Sequence, residues 1–524
     1  MMWHKRIIEQ NPYPVDNLVG KLLSMVSQDK EKIHEVLSSP RQIVYSKAAC
    51  VLNGVQRLKK AKENKEKVLI AGDYDCDGVC STAIMKYSLD QYGILNGYYI
   101  PDRVKEGYGL QVHTVELAKE KGYSLIITVD NGVKAFAAIE KAKELGIEVI
   151  VSDHHQIEEP VPVDILVHPD LMEKEYRYFS GAGVALQISY YLIGEVKEMI
   201  VLAGVAALGD VMPPFAQTRP LIQKAVQYLQ EGYMPALQKL VPKGNQISVQ
   251  IIQFSIIPKL NSLGRMSHLA NVNQLVLYLL TRNEEAQIKM AKQIDHINQE
   301  RKKVSQIKAK ELEEKVQDQA IEVLYDPDLL EGVCGLIAGR ITNKINRPCL
   351  VLTKTDGDMI KGSGRSIPGV NLFEALKDFE FYEAFGGHEQ ACGLSVLEEN
   401  FSAFENYVAE IQLAVNQEVG KEALWIETED FSFQAVQSLM KLEPYPSEWK
   451  NPFVWIEHPS QIVFRNYPSM QKYEFEVNGE KVEAVLYANK GIQADSKATN
   501  FIGTLSMNSF RNQEKIQMII EDLW

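Results

Sequence analysis

The stretch VLIAGDYDCDG, from Val68 to Gly78, constrains the fold of this chain more than any other. Its short apolar run predicts a buried strand, and Asp73, Asp75 and Asp77 alternate directly after it. Three carboxylates so close together repel one another and are driven toward protonation unless a positive charge lies among them. No Lys or Arg occurs within the stretch. We therefore predict that these oxygens bind a divalent metal ion.

A calcium-binding EF-hand loop also begins with D-x-D-x-D-G, but it carries a glutamate at its twelfth position and a helix on each side. The twelfth position here is Ile84, and the segment before Asp73 is strand-like. Both differences disfavour an EF-hand. A solvated acidic turn without metal is the other alternative, and the further acidic motifs of the chain argue against it.

Length and composition limit the classes of protein to consider. A chain of 524 residues is too long for one core and predicts about three or four domains. With a net charge of −13, any contact with nucleic acid must come from local basic patches. The sequence has no signal-peptide pattern, no apolar run of the roughly 20 residues that span a membrane, and no C-x-x-C or P-loop motif. We therefore expect a cytoplasmic protein with reduced thiols and no membrane association.

Strand-like runs at 124–130, 147–153 and 164–168 alternate with helical stretches, which is typical of a parallel sheet that binds ligands beyond the carboxyl ends of its strands. Asp130 follows the second strand, Asp153-His154-His155 follows the third, and Asp210 follows the apolar segment 201–208. One such aspartate is most often a cap, but four acidic strand ends with two histidines predict a metal site. Carboxylates with imidazole suit Mn²⁺ or Mg²⁺, with Zn²⁺ as an alternative, and two ions roughly 4 Å apart are usual for reactions at phosphorus.

These motifs resemble those of a known superfamily. GDYDCDG, TVDNG, SDHH and ALGDVMP match, in order and spacing, the four motifs of the DHH phosphoesterases, which are named after the triplet Asp153-His154-His155. EGYGL (106–110), GAGVA (181–185) and PKLNSLGR (258–265) are similar to segments of the RecJ exonuclease branch. Arg265, in the last of these segments, is expected to contact a substrate phosphate, although an isolated arginine is more often a surface residue.

The resemblance continues in a second, smaller α/β unit predicted over 321–414. KGSGRS (361–366) contains Ser363, Gly364 and Arg365, and this combination of glycine, hydroxyl and guanidinium is suited to binding phosphate. GGHEQACG (386–393) contains Gly387 and His388. The two segments resemble the GSGRS and GGHxxAxG motifs of the DHH-associated substrate-binding domain, DHHA1. Each motif by itself is also typical of a Gly-rich turn.

Two further segments complete the predicted architecture. The charge-rich, helix-periodic sequence between 281 and 318 predicts a solvated linker helix over 281–320. Short strand-like runs over 425–524 predict a small OB-like β-barrel. LEPY (442–445), Asn451-Pro452 and Ser509-Phe510-Arg511 resemble parts of the RecJ OB domain. OB folds bind single strands with a basic groove and aromatic platforms, for which the candidates are Tyr445, Trp449, Phe464, Tyr473 and Phe510.

We thus predict an α/β chain of four parts: N-terminal helices with a parallel-sheet DHH domain (1–280), a long linker helix (281–320), a DHHA1 domain (321–414) and an OB-like barrel (425–524). The chain departs from the RecJ pattern at Leu330, where the family usually carries a histidine. It also ends at Trp524, so we expect the family's further C-terminal domain to be absent.

The resemblance implies the residues of the site. Two Mn²⁺ or Mg²⁺ ions are expected on Asp75, Asp77, Asp130, His154 and Asp210, with Asp73 binding directly or lying beside the ligands. His155 and Arg265 are expected to stabilise the charge of the phosphate. Ser363, Gly364, Arg365, Gly387 and His388 are expected to hold the terminal nucleotide.

The resemblance also implies an activity, namely a single-stranded-DNA-specific 5′-to-3′ exonuclease that releases mononucleotides in DNA repair and recombination. One alternative is a DHH/DHHA1 phosphodiesterase that acts on short oligonucleotides or cyclic dinucleotides. Another is an inactive DHH scaffold in replication, which the retained acidic positions disfavour. The partners implied are single-stranded DNA and either a single-strand-binding protein or a helicase, and a monomer is the default expectation.

Overall fold

The structure of the protein is a computed structural model, and it describes residues 3–40, 42–355, 357–413, 421–446, 449, 452–468, 470–487, 492–510 and 513–524. The chain divides into two compact units. The larger unit contains Tyr45–Asp210 and Lys224–Gln417, and the smaller unit contains Met1–Val44, Val211–Gln223 and Glu418–Trp524.

Helices and strands are both distributed along the whole of the described chain. The helices are α1 (Asn17–Val26), α2 (Lys30–Leu37), α3 (Ala49–Glu63), α4 (Cys76–Tyr92), α5 (Val112–Glu120), α6 (Phe136–Glu144), α7 (Gly181–Ile193), α8 (Lys197–Gly209), α9 (Thr218–Gln230), α10 (Pro235–Gln238), α11 (Val249–Ile251), α12 (Ile257–Arg265), α13 (Asn273–Leu280), α14 (Glu284–Glu313), α15 (Cys334–Ile345), α16 (Leu372–Leu376), α17 (Phe401–Glu410) and α18 (Phe433–Met440). The strands are β1 (Trp3–Arg6), β2 (Val68–Ala71), β3 (Asn96–Tyr99), β4 (Leu125–Thr128), β5 (Glu148–Ser152), β6 (Ile165–Val167), β7 (Glu322–Tyr325), β8 (Cys349–Thr355), β9 (Met359–Arg365), β10 (Tyr382–His388), β11 (Ala391–Leu397), β12 (Lys421–Trp425), β13 (Phe453–Glu457), β14 (Ser460–Tyr467), β15 (Met470–Val477), β16 (Glu480–Tyr487), β17 (Asn500–Phe510) and β18 (Gln513–Leu523).

The first sheet of the larger unit confirms the predicted parallel α/β arrangement. Its order is β3-β2-β4-β5-β6, and every neighbouring pair is parallel. The central strands β2 and β4 are fully buried, as their unbroken apolar runs require in a sheet covered on both faces. Since all the strands run the same way, their carboxyl ends meet along one edge, and the candidate site lies there.

Strand β3 is not predicted as an element of this sheet. Its sequence NGYY contains Asn and Gly, which are depleted in strands, and all four residues are only half-buried. It pairs with β2 at the edge of the sheet, and this pairing, a long-range contact, outweighs the weak local preference.

A second sheet in the same unit has the order β10-β11-β9-β8-β7. Its first four strands are antiparallel, and β7 pairs with β8 in parallel. Helices α16 and α17 pack on one face around a core that includes Leu352, Leu372 and Phe404. The predicted linker is α14, which begins after the Asn283 cap, a side chain that accepts a hydrogen bond from the backbone N–H of Ala286. This arrangement agrees with the predicted second α/β fold.

The smaller unit contains an eight-stranded sheet of order β1-β12-β13-β17-β18-β16-β15-β14. The five strand-like runs predicted from the sequence fall within β14 to β18. The prediction of a closed barrel is not supported, because β1 and β14 end the strand order without pairing to each other among the described residues. Helix α18 also lies in this region, where no helical pattern is predicted.

The N-terminal residues belong to the smaller unit, although the sequence predicts them to be part of the first domain. Strand β1 pairs in parallel with β12, from Trp3 opposite Lys421 to Arg6 opposite Leu424. Nothing in the four residues WHKR specifies so distant a partner, so the pairing could not be read from the sequence.

Several residues singled out in the OB-like segment are not described. Asn451 and Arg511 lie outside the described residues, as do the side chains of Ser509 and Phe510. Of the other aromatic candidates, Tyr473 is fully buried and Trp449 nearly so, which is the core position expected for most aromatics of a small sheet. Among the described residues, no helix combines the length and apolar composition needed to cross a membrane.

Candidate metal centre and substrate site

The first acidic motif is a turn from strand to helix. Strand β2 ends at Ala71 and α4 begins at Cys76, so Asp73 lies in the turn, Asp75 is the residue that caps α4, and Asp77 is in its first turn. The Asp75 carboxylate accepts hydrogen bonds from the N–H groups of Asp77 and Gly78 at 2.9 and 3.1 Å. A Cβ atom at Gly78 would lie 2.4 Å from the carbonyl oxygen of Asp73, so the turn needs glycine there.

Asp77 is fixed by the beginning of another helix. Its two carboxylate oxygens accept hydrogen bonds from the backbone N–H groups of Gly181 and Ala182 at 2.7 and 2.8 Å. These are the first residues of α7, where backbone donors lack partners within the helix and favour negative charge. A Cβ at Gly181 would lie 2.5 Å from the Cβ of Asp130. The GAGVA segment therefore brings a helix start and two aspartates together.

Asp130 follows β4 and has a left-handed backbone conformation, with φ of 63°. The neighbouring Asn131 holds this turn: its side-chain amide donates to the carbonyl oxygens of Ala71 and Val129 and accepts from the N–H of Leu110. Asp130 is almost completely buried, so its carboxylate points into the protein at the carboxyl edge of the sheet.

The side chains of the triplet after β5, Asp153-His154-His155, make different contacts. Asp153 accepts hydrogen bonds from the N–H groups of Val133, His154 and His155 and from Nδ1 of His155. His154 Nε2 lies 3.1 Å from Asp130, 3.5 Å from Asp77 and 3.6 Å from Asp210. Asp153 therefore organises the loop, whereas His154 faces the acidic cluster.

The two histidines differ in charge. Burial alone would lower the pKa of His155, but the hydrogen bond to Asp153 and the charge of Asp153 outweigh it and raise that pKa to about 9. Burial lowers the pKa of His154, which leaves the neutral imidazole that a metal ligand requires. The hydroxyl of Tyr108 lies 3.2 Å from Nε2 of His155, and buried His168 donates from Nε2 to the carbonyl oxygen of His155 at 2.9 Å.

Asp210 lies at the end of a helix, not of a strand as the sequence predicts. It follows Gly209, the last residue of α8, and its N–H donates to the carbonyl of Ala206. Helix α8 is apolar and buried from Met199 to Leu208, because it packs against α4 and α7. A helical segment buried on all sides has the same unbroken apolar run as a buried strand.

The aspartates and the two histidines form three groups of three residues. Within each group, one oxygen or nitrogen atom from each residue lies within 4.8 Å of those of the other two. Burial raises the pKa of Asp73 and of Asp130 well above the usual range, with the charges of neighbouring aspartates adding to the effect. Burial also raises the pKa of Asp210 to about 8, and Asp77 contributes. The groups are Asp130, His154 and His155; Asp77, His154 and Asp210; and Asp73, Asp75 and Asp130.

Unpaired atoms in this cluster indicate what it can bind. Oδ1 of Asp73, Oδ1 of Asp130 and Nε2 of His154 are buried without any hydrogen-bond partner. The last two lie 3.1 Å apart, but their alignment is not that of a hydrogen bond. Buried polar atoms without partners are rare and costly. Divalent cations would satisfy these atoms and offset the carboxylate repulsion, so the residues fit a site for Mn²⁺ or Mg²⁺.

Three arginines lie beside the acidic cluster. Burial, with Arg103 contributing, lowers the pKa of Arg265 to about 10, so Arg265 stays charged at neutral pH. Arg103 stacks on the ring of Tyr74 at 4.9 Å. Arg365 donates to the carbonyl of Gly364. None of the three has an ion-pair partner among the described residues, which leaves them available to an anion.

Arg103 is not among the site residues predicted from the sequence. The sequence shows it only as one residue of the segment that follows Pro101, and its place beside Tyr74 and Arg265 depends on how the loop after β3 folds. Leu330, the departure from the family pattern, directly precedes the short 3₁₀ helix Glu331–Val333. A Cβ at Gly332 in that helix would lie 2.1 Å from the carbonyl oxygen of Arg265, so this segment touches Arg265 closely.

The register of the second sheet places the predicted substrate residues. Arg365 and His388 both lie opposite Ala391, and Ser363 lies two residues from Arg365 on β9. Residues directly opposite, and residues two apart on a strand, share a face, so Ser363, Arg365 and His388 lie on one face. Gly364 and Gly387 lie opposite Cys392 on the other face. β10 is an edge strand, and Gly387 and His388 are exposed.

Three family models match the chain. The DHH family N-terminal domain matches residues 67–209, the DHHA1 domain matches 318–414 and the RecJ OB domain matches 424–522. The three follow one another in the order predicted from the motifs.

Curated relatives extend the match to most of the chain. The Bacillus subtilis single-stranded-DNA-specific exonuclease RecJ is 30% identical over 495 residues, which cover 89% of this chain and 62% of that protein. The Escherichia coli protein of the same name is 27% identical over 536 residues, which cover 90% of each chain. The chain thus spans less than two thirds of the first relative but nine tenths of the second.

Solved structures agree in fold. A crystal structure of RecJ from Thermus thermophilus in complex with Mn²⁺ matches with a TM-score of 0.80 at 23% identity, covering 100% of this chain and 79% of that chain. A structure of exonuclease RecJ bound to manganese matches with a TM-score of 0.61 at 28% identity, covering 70% and 95%. The chain therefore carries a DHH domain, a DHHA1 domain and a RecJ OB domain in that order, and it is similar to RecJ exonucleases over most of its length.

Proposed function

We propose that the protein is a metal-dependent exonuclease that degrades single-stranded DNA from its 5′ end and releases mononucleotides. One observation carries the proposal: buried carboxylates and a neutral histidine with unpaired atoms lie beside three arginines that, among the described residues, lack carboxylate partners. The first feature suits divalent cations and the second suits phosphate. The RecJ relatives, named for action on single-stranded DNA, supply the substrate and the reaction.

The metal ligands in this proposal are Asp75, Asp77, Asp130, His154 and Asp210, with Asp73 as a ligand or their neighbour. Asp130 belongs to two of the three groups and His154 to two, which supports a pair of ions that share these side chains. When bound, the two ions supply an activated water at neutral pH and stabilise charge on the phosphoryl oxygens. The manganese and magnesium complexes of RecJ support the choice of ion.

The side chains around the ions bind and orient the substrate in this proposal. His155, charged at neutral pH and held by Asp153, donates to the oxygens of the scissile phosphate. Arg265, which stays charged at neutral pH, acts on the phosphate with it. Ser363, Arg365 and His388, on one face of the second sheet, bind the terminal nucleotide. Gly364 and Gly387 lie on the other face, where a Cβ would meet the core or the neighbouring strand, so these two glycines act through the geometry of the sheet.

We also propose a location, a substrate, partners and an oligomeric state for the enzyme. The six cysteines are free, which supports the reducing cytoplasm. Single-stranded DNA is the substrate. A single-strand-binding protein or a helicase as partner, a role in repair and recombination, and a monomeric state rest on the family resemblance alone.

The experiment that tests the proposal is digestion of a long single-stranded DNA that carries a label at the 5′ end or the 3′ end, with Mn²⁺ or with EDTA. We expect Mn²⁺-dependent release of the 5′ label as mononucleotide, while the 3′ label persists in shortening strands. Release from the 3′ end would reject the polarity. Cleavage of dinucleotides without attack on long strands would favour the alternative phosphodiesterase, and no cleavage of any substrate would favour the inactive scaffold.

A further inference from the structure

A cavity of about 450 Å³ opens beside the acidic cluster; His155 lines it, but the function proposed above places no group of the substrate in it. The beginnings of α5 and α6, the loop of the DHH triplet and Gly387 of β10 form its walls. Its volume falls in the roughly 300–1,000 Å³ typical of ligand pockets. All of its walls belong to the larger unit.

The lining of the cavity suits an uncharged, flat group. Leu110, Val133 and Ala138 form an apolar floor, and the amide side chains of Gln111 and Gln156 lie at the rim. An apolar slot with a few polar groups at its edge is the usual form of a small-molecule site. Amides at the rim can donate to and accept from the edge of a nucleobase.

The charges around the cavity argue against phosphate. Its cation other than His155 is Lys134, which is paired with Glu158 at 2.7 Å. The carboxylate of Asp153 is taken up by its four hydrogen-bond donors. The arginines free to bind phosphate lie elsewhere, beside Tyr74, and do not line the cavity.

The position of the cavity determines which part of the DNA reaches it. The arginines adjoin the cluster through Tyr74, between Asp73 and Asp75. The cavity adjoins the same cluster through Asp153 and His155. A strand whose 5′-terminal phosphate lies on Arg103 and Arg365, and whose scissile phosphate lies at the ions with Arg265, continues past His155. The next group along the strand is the nucleoside on the 3′ side of the scissile bond.

We propose that this cavity binds the nucleobase of the second nucleotide, the one immediately 3′ of the scissile phosphate. This inference rests on the proposed exonuclease function and refines it. Binding the second base would hold the scissile phosphate against the ions, so that the strand beyond the bond, and not only the nucleotide released, determines the rate of cleavage.

The test uses wild-type full-length protein and short 5′-phosphorylated strands with one abasic residue at position 1, 2 or 6. Stacking and burial of one base contribute enough for about a tenfold change in rate. We expect the abasic residue at position 2 to slow release of the first nucleotide about tenfold, and the residue at position 6 to have no effect. Equal rates with and without the base at position 2 would overturn the inference but leave the exonuclease function intact. No cleavage of the unmodified strand would overturn both.

A pair of variants tests whether the second base binds in this cavity. Ala137 is exposed on α6 and lines the cavity, so Ala137→Leu narrows the cavity without overpacking the core. We expect this variant to cleave the unmodified strand about tenfold more slowly and to lose the difference between that strand and the one abasic at position 2. Glu140→Leu introduces the same side chain at an exposed site of α6 outside the cavity and should retain the wild-type difference. An Ala137→Leu enzyme that still distinguishes the two strands tenfold would place the second base elsewhere.

Discussion

At the scale of single residues, the site is built from side chains whose neighbours leave them poorly satisfied. Asp130 is buried, its pKa is raised by burial and by the other aspartates, and one of its oxygens has no partner. Its φ of 63° is one that Asn tolerates better than Ala does. Asn is therefore the substitution that removes the charge of Asp130 and keeps the turn.

We predict that Asp130→Asn lowers the single-turnover cleavage rate by about a thousandfold or more, because several kcal/mol of charge stabilisation at the phosphate depend on the metal centre. Without metal at pH 7, the variant should melt a few degrees higher than wild type, because one mutually repelling buried carboxylate is gone. Thermal melts with and without Mn²⁺, together with the cleavage assay, measure both effects.

Asp164→Asn is the matched control for Asp130→Asn. Asp164 is an exposed residue just before β6 in the same sheet, and its replacement should leave cleavage and the Mn²⁺-dependent melt unchanged. Wild-type cleavage by Asp130→Asn would refute the assignment of Asp130 as a shared ligand.

The sequence identifies the residues that bear charge but not the residues that orient them. The alternating aspartates and the DHH triplet can be found because their residue types and spacing are unusual. Arg103 and His168 cannot, since an arginine in a loop and a histidine after a strand are common. Their roles come from long-range contacts, Arg103 with Tyr74 and His168 with the carbonyl of His155.

At the scale of helices and strands, the metal centre is where six elements end or begin: β2, β4, β5, α4, α7 and α8. The parallel order of the first sheet follows from the alternation of apolar runs and helical stretches, and it is predictable. The assignment of Asp210 to a strand end is wrong because the apolar helix α8 has no polar face by which periodicity could identify it. Helix α7 contributes two backbone donors that no side-chain motif specifies.

The beginning of α7 is the element whose disturbance should be most informative. Gly181→Ala would bring a Cβ within 2.5 Å of the Cβ of Asp130 and displace the N–H groups that hold Asp77. We predict that Mn²⁺ affinity falls by about 10- to 100-fold, which is typical when the groups that orient metal ligands are lost. Isothermal titration with Mn²⁺ measures it.

A helical glycine with more room provides the control. A Cβ at Gly339 of α15 would meet its nearest neighbour at 3.7 Å, an ordinary contact. Gly339→Ala should therefore bind Mn²⁺ as wild type does. If Gly181→Ala also bound Mn²⁺ with wild-type affinity, the hydrogen bonds from α7 to Asp77 would not contribute to metal binding.

At the scale of the whole molecule, the two ends of the chain form one unit. Strand β1 pairs with β12, and buried Lys21 of α1 bonds to Glu427 and Asp430, both at 2.6 Å. Lysine is seldom buried unless it is paired, and the separations of 406 and 409 residues between Lys21 and its two acids hide this pairing from any local pattern. The order of the domains could be read from motifs, whereas the return of the N-terminus could not.

We predict that Lys21→Met destabilises the smaller unit by about 2 kcal/mol, because it leaves charged acceptors without their donor. The five tryptophans, at positions 3, 425, 449, 455 and 524, all belong to this unit, so tryptophan fluorescence during urea unfolding reports on it selectively. Lys30→Met, at an exposed lysine of α2, is the control and should be neutral. Coincident unfolding curves for all three proteins would mean that the Lys21 contacts contribute nothing.

The central claim is that one buried acidic cluster binds two catalytic ions, and anomalous diffraction from crystals grown with Mn²⁺ tests it most directly. We expect two manganese peaks, one bound by Asp77, His154 and Asp210 and the other on the side of Asp73 and Asp75, with Asp130 between them. A single peak, or manganese bound away from Asp130 and His154, would contradict the account.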